Sequence, residues 1–193
     1  LPGMLAAMAA EANVLVRHEL VCRGGASLRT HWNAGAAAKA TRTGKYHYVV
    51  LQEQSTLPVK NAGRMAENVR LFQEVIEQAG ARTALYMTWA RQHALETQQL
   101  ITTAYNSIGK EIGAVVVPVG VVWQKCHAKH ARPLLYDRDQ SHPSLAGSYL
   151  ASCVFLAALL EIDPTGIEAG GTALDGADKK LLRRVAWQHC RPR

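Results

Sequence analysis

Short β-branched runs that alternate with stretches of helical periodicity narrow the folds open to this chain more than any other feature. Ala114 to Val119 is nearly continuous in valine, Tyr46 to Leu51 reads Tyr-His-Tyr-Val-Val-Leu, and Thr83 to Thr88 is a third such run. Strands apolar on consecutive residues have both faces covered, the situation of a parallel sheet between helical layers. Between these runs the apolar residues change period. Met65, Val69, Phe72 and Ile76 recur at helical spacing inside 61–78, as do Ile101, Tyr105, Ile108 and Ile112. Leu145, Tyr149, Cys153, Leu156 and Leu160 mark another helix. Further helices are expected over 3–13, from Leu28 to about Thr41, and over about 172–190. Val14 to Cys22 reads as a fourth strand, ending at Gly24-Gly25, and 162–171 as loop. Strands separated by helices predict an α/β three-layer sandwich with a parallel sheet, built as a single domain over 1–193.

Composition removes several functional classes. With 193 residues, 48% of them hydrophobic, the chain can bury a real core and is not disordered. No apolar run reaches the roughly 20 residues that span a bilayer, so no membrane span is expected. The segment 1–12 is apolar but lacks a basic leader, and suits the start of a core helix better than a signal peptide. The net charge of +7 is scattered. Its one dense cluster, Lys179, Lys180, Arg183 and Arg184, falls on an amphipathic helix and reads as a solvated face. Without zinc-finger spacing or an aromatic platform, no nucleic-acid partner is expected. The four cysteines form no C-x-x-C pair, and Cys22 and Cys153 lie in apolar runs where buried free thiols are the ordinary outcome. Cys126, His127 and His130 lack a fourth ligand, so no metal is expected.

In parallel α/β sheets, chemistry gathers at the carboxyl ends of the strands. That edge should carry Gly24-Gly25, Gln52 to Ser55, Thr88 to Arg91 and the 137–142 loop. In the last of these, Asp139-Gln140-Ser141-His142-Pro143 sets a carboxylate three residues before an imidazole. A histidine acting as base needs a partner that fixes its tautomer and stabilises its cation, and Asp139 can do this for His142. The plainer alternative is a turn-capping aspartate and an ordinary loop histidine ahead of a helix with Pro143 in its first turn. Asp137 is a rival carboxylate. Gly25 is open to two readings, an oxyanion-facing N–H or a turn that needs positive φ. Gln54 is likewise either an amide donor or a group that satisfies loop backbone. Glu53 reads as a solvated or paired loop carboxylate. Trp89, Arg91 and Trp123 are core or pocket lining, and His93 is a surface or structural residue.

Three segments, taken in order, carry a family resemblance. Arg23-Gly24-Gly25-Ala26-Ser27, Val49-Val50-Leu51-Gln52-Glu53-Gln54-Ser55 and Asp139-Gln140-Ser141-His142-Pro143 resemble blocks two, three and five of the SGNH (GDSL-type) hydrolases. The flanking Leu135-Tyr136-Asp137 and Ser144-Leu145-Ala146-Gly147-Ser148-Tyr149 are similar to a bacterial branch of that superfamily. The resemblance implies a flavodoxin-like SGNH fold and a Ser-His-Asp esterase acting on small acyl esters, including acetyl groups on carbohydrate. No cofactor is implied. His142 becomes the general base, Asp139 its orienting acid, and Gly25 an oxyanion donor, with Gly24 as a substitute. Gln54 stands where the superfamily usually has asparagine.

One block departs from the pattern. The Gly-Asp-Ser or Gly-Asn-Ser turn that supplies the family's nucleophile is not among these residues, and Ser27, Ser55 and Ser141 lack the strand-to-helix elbow that a nucleophile requires. The resemblance therefore implies a sheet without its central first strand. It leaves a non-catalytic carbohydrate- or protein-binding homologue, or a fragment, as alternatives to the esterase.

Overall fold

The computed structural model describes residues 1–170 and 173–191, which form two compact units. One comprises residues 21–88 and 97–117 and holds the sheet. Its strands β1 (Tyr48–Leu51), β2 (Arg82–Tyr86) and β3 (Val115–Val117) are parallel in the order β1-β2-β3. Tyr48 pairs with Arg82 and Ala84 with Val115, so the carboxyl ends of all three strands share one edge. In β2, Thr83, Ala84, Leu85 and Tyr86 are all buried. Successive side chains point to opposite faces, so both faces of the central strand are covered, as its unbroken apolar sequence requires.

Helix α5 (Ala62–Gln78) starts where Asn61 accepts the Arg64 N–H at 2.8 Å, and it buries Met65, Val69, Phe72 and Ile76. α6 (Gln98–Glu111) buries Ile101, Tyr105 and Ile108. Each such side chain contributes about 1.5–3 kcal/mol by leaving water. The expected helix from Leu28 to about Thr41 is two: α2 (Leu28–Ala34) and α3 (Ala36–Thr41), parted at Gly35. With φ of 75°, Gly35 sits in the left-handed region that ends a helix. A single turn, α4 (Leu57–Lys60), follows the loop after β1.

The other unit comprises residues 1–20, 89–96 and 118–193. Its centre is α8 (Leu145–Leu159), buried continuously from Ala146 to Ala157 apart from the half-buried Ser148. α1 (Pro2–Glu11), α7 (Val119–Lys129) and α9 (Gly176–Cys190) pack around it. A helix apolar on every side is stable only when enclosed in this way. Within the 162–171 stretch one 3₁₀ turn forms at Pro164–Gly166. Gly171 and Thr172, at the end of the expected loop and the start of the expected C-terminal helix, lie outside the described residues.

Several expectations are corrected. The run from Val14 to Cys22 is not a strand. It carries no ladder bonds, and Leu15 and Leu20 are 77% and 62% exposed. β-branched composition cannot hold a strand without a neighbour for its N–H and C=O groups, and this run has none in the three-stranded sheet. Cys22 is consequently exposed rather than buried, whereas Cys153 is buried as expected. The valine run at 114–119 gives a strand only to Val117, because Pro118 has no N–H to continue the ladder and Val119 opens α7. Finally, Arg183 is no solvated cation. It is 3% exposed and donates to the Ile167 carbonyl and, at 2.8 Å, to Glu168.

Candidate active site

The Asp139–His142 step sits in a hairpin-like loop closed by an antiparallel bridge between Tyr136 and Pro143. The Asp137 N–H donates to the His142 carbonyl at 2.9 Å, and the Gln140 N–H to the Asp137 carbonyl at 3.0 Å. Gln140 takes φ of 60°, an uncommon conformation for a residue with a side chain. The loop is also held from outside. Trp89 Nε1 donates to the Ser141 carbonyl at 3.0 Å, Gln92 N to the Gln140 carbonyl at 2.9 Å, and the Tyr136 hydroxyl to the Ala90 carbonyl at 2.8 Å. Trp89 stacks on buried Trp123 with ring centroids 4.1 Å apart. Behind the loop, Ser144 caps α8 by accepting the Gly147 N–H at 3.1 Å, and its own hydroxyl donates to the Leu134 carbonyl.

Asp139 makes the contacts that each of its two readings calls for. Oδ1 caps the turn, accepting the N–H groups of Ser141 at 3.0 Å and His142 at 2.9 Å. Oδ2 accepts a hydrogen bond from His142 Nδ1. A carboxylate only accepts, so Nδ1 carries the hydrogen, and in the neutral ring the lone pair is on Nε2. These donors, the imidazole foremost, pull the Asp139 carboxyl down to about 2. It is therefore ionised wherever a histidine base could work. Asp137 Oδ1 accepts the neighbouring Arg138 N–H at 2.7 Å, and the carboxylate bonded to the His142 ring is that of Asp139.

In the sheet-bearing unit, the loop after β1 places Glu53 and Gln54 at the carboxyl edge. Gln54 also keeps both of its readings. Its Oε1 accepts from the Thr56 N–H at 2.9 Å, the Thr56 hydroxyl at 2.9 Å and the Leu57 N–H at 3.1 Å. With the carbonyl end consumed by the turn, Nε2 has no protein partner among the described residues and its two N–H groups are free to donate. Gly25 has φ of 69° in a turn closed by Ala26 N to the Arg23 carbonyl at 3.2 Å. The positive-φ reading therefore holds, although no strand precedes the turn. Gly24 lies exposed beside it.

Glu53, expected to be a loop carboxylate either solvated or paired, is 1% exposed and fully engaged. The paired alternative is the one found, with partners Leu28 and Asn68 that lie 25 and 15 residues away in sequence. Of the serines weighed as nucleophiles, Ser27 is spent as the cap of α2, accepting the Thr30 N–H at 3.2 Å. Ser141 has its carbonyl fixed by Trp89, and Ser55 lies in the Gln54 turn. Burial pushes the Cys126 thiol up to about 11, the opposite of what a metal-binding thiolate needs. A hollow of about 520 Å³ at the amino ends of β1 and β2, lined in part by Tyr46, Tyr48 and Arg82, includes none of the residues named here.

The parallel sheet with its helices is an SGNH-hydrolase-like α/β fold. Known proteins bear this out at the level of fold. No family model and no curated protein matches the sequence. Among solved structures, a protein described as "a putative SGNH hydrolase" from Slackia heliotrinireducens matches with a TM-score of 0.66 and 29% identity over 80% of this chain and 88% of its own. A DUF4886 family protein from Bacteroides uniformis matches with a TM-score of 0.76 over 97% of this chain and 88% of its own. At 16% identity, that match speaks for the fold alone.

Proposed function

We propose that this protein is an SGNH-type esterase that hydrolyses small acyl esters, acetyl-carbohydrate esters among them, by a Ser-His-Asp mechanism. The observation that carries the reading is the bond from His142 Nδ1 to Asp139, which leaves Nε2 as an outward, oriented base. In the proposed reaction a serine hydroxyl attacks the ester carbonyl as His142 Nε2 takes its proton. Asp139 stays ionised and stabilises the imidazolium. The oxyanion accepts hydrogen bonds from the Gln54 amide and the Gly25 N–H, each such donor contributing about 2.7–4 kcal/mol. The intermediate collapses, the leaving alcohol takes the proton back from His142, and an acyl-serine remains. Water repeats the cycle, releasing the acid and the serine.

The serine in this scheme belongs to a Gly-Asp-Ser or Gly-Asn-Ser turn, which the 193 residues do not contain. The test is p-nitrophenyl acetate hydrolysis by a form of the chain that carries such a turn. His142→Ala should lower kcat by orders of magnitude with folding unchanged; wild-type turnover in that variant removes His142 from the mechanism. The 193-residue chain itself should show little turnover. Robust hydrolysis by it, abolished by His142→Ala, would show that the nucleophile lies within it.

A further inference from the structure

We propose that Glu53 is a positioning residue that sets the oxyanion donors, acting through Gln54 and the turn that bears Gly25; this rests on the esterase reading above. Glu53 is a buried carboxylate whose direct protein partners all donate. Oε1 accepts the Leu28 N–H at 3.0 Å and the Gln54 N–H at 2.7 Å, and Oε2 accepts from Asn68 Nδ2 at 2.8 Å. Asn68, itself 1% exposed, is held in that orientation because its Oδ1 accepts a hydrogen bond from Arg29 Nε at 3.0 Å. On the backbone side, the Glu53 N–H donates to the hydroxyl of buried Tyr105 at 3.3 Å. A carboxylate out of water is costly unless its oxygens are hydrogen-bonded, and here both are.

The two ends of this network are the segments assigned to the oxyanion. Leu28 opens α2 directly behind the 23–27 turn that contains Gly25, and Gln54 is the proposed side-chain donor. One carboxylate oxygen therefore ties the glycine turn to the Gln54 loop. With its backbone N–H fixed by Glu53 and its Oε1 fixed by Thr56 and Leu57, Gln54 can point Nε2 only away from its own turn. Glutamine cannot replace Glu53 in this role. Its NH₂ would face either the two backbone N–H groups or Asn68 Nδ2, and turning the Asn68 amide to meet it would strand Arg29.

Displacing a donor by about 1 Å costs on the order of 10²-fold in rate. In the hydrolytically active form, Glu53→Gln should therefore lower kcat about 10- to 100-fold with KM within about twofold. Gln54→Ala should do the same, and the double variant should be little worse than either single one. Losses that multiply, or an unchanged kcat, would overturn the proposal. If Glu53→Gln fails to fold, Asn68→Ala, which leaves the carboxylate in place, is put through the same cycle and should give the same non-additivity. If no form turns over any ester, the esterase reading fails. The positional claim is then decided by amide NMR of the 193-residue chain. Glu53→Gln, or Asn68→Ala in its place, should shift the Leu28 and Gln54 backbone signals and the Gln54 side-chain amide together, and unchanged side-chain signals would overturn it.

Discussion

Asp139 serves His142 through both carboxylate oxygens, Oδ2 receiving the ring Nδ1–H and Oδ1 the backbone N–H of the same residue at 2.9 Å. The turn that presents the histidine and the bond that orients its ring are therefore set by one side chain. Removing the carboxylate disturbs both.

The ionisation of Asp139 reports this directly. Its folded value of about 2 lies below the roughly 3.9 of an unconstrained aspartate. Its contribution to stability is thus fully present above about pH 4 and is lost as pH falls through 2. His142→Ala removes the largest cause but leaves the two backbone donors. The Asp139 carboxyl midpoint, followed by NMR, should rise in that variant yet stay below the free value. A midpoint still near 2 would show that the imidazole does not hold the carboxylate.

Trp89 anchors the same loop from outside by its 3.0 Å bond to the Ser141 carbonyl. Trp89→Phe keeps a ring against Trp123 but deletes the donor. It should cost about 0.5–1.5 kcal/mol, the usual net worth of such a bond. Amide exchange should quicken at residues 141 and 142 while α5 and α6 stay protected. Uniform loss of protection would contradict a local anchoring role.

Two glycines in helices should respond with opposite signs. A Cβ on Gly147 would collide with the Leu135 carbonyl oxygen and the Trp123 ring, so α8 meets its neighbours there without space for a methyl group. Gly147→Ala should destabilise the fold by about 1–3 kcal/mol in denaturant unfolding. Gly3 in α1 has nothing within 4 Å of its missing Cβ, and Gly3→Ala should stabilise by about 0.5–1 kcal/mol. Equal effects at the two positions would refute the packing argument.

The strands at 48–51, 82–86 and 115–117 and the helices over 62–78, 98–111 and 145–159 were legible because period and burial agree in them. Asp139 and His142 were legible because both partners lie inside one short loop. What the sequence hid depends on neighbours distant along the chain. Val14 to Cys22 has strand composition but no ladder partner, so propensity misled. Glu53 looked like any loop acid because Leu28 and Asn68, which hold it, are far away in sequence. At Asp139 and Gln54 the turn-capping contact uses one polar end of the side chain and leaves the other for a second partner.

Arg183 shows the same blindness, and it allows the last test. Lys179, Lys180, Arg183 and Arg184 look like one basic face, yet the chain at Ile167 and Glu168 folds back over α9 and takes Arg183 out of water. Glu11 holds that return from the other side, accepting the N–H groups of Glu168 and Ala169. Arg183→Ala leaves the Ile167 carbonyl without its charged donor and should cost about 1.5–3 kcal/mol. Arg184→Ala, on the exposed side, should cost little. Arg183 is also the main reason that the Glu168 carboxyl lies below its usual range. That part of the stability is present above about pH 4.3 and is lost on acidification. In Arg183→Ala the Glu168 midpoint should rise, and stability should fall less steeply below pH 4.3 than in the wild type. Parallel pH profiles for the two proteins would show that the arginine does not lock this return.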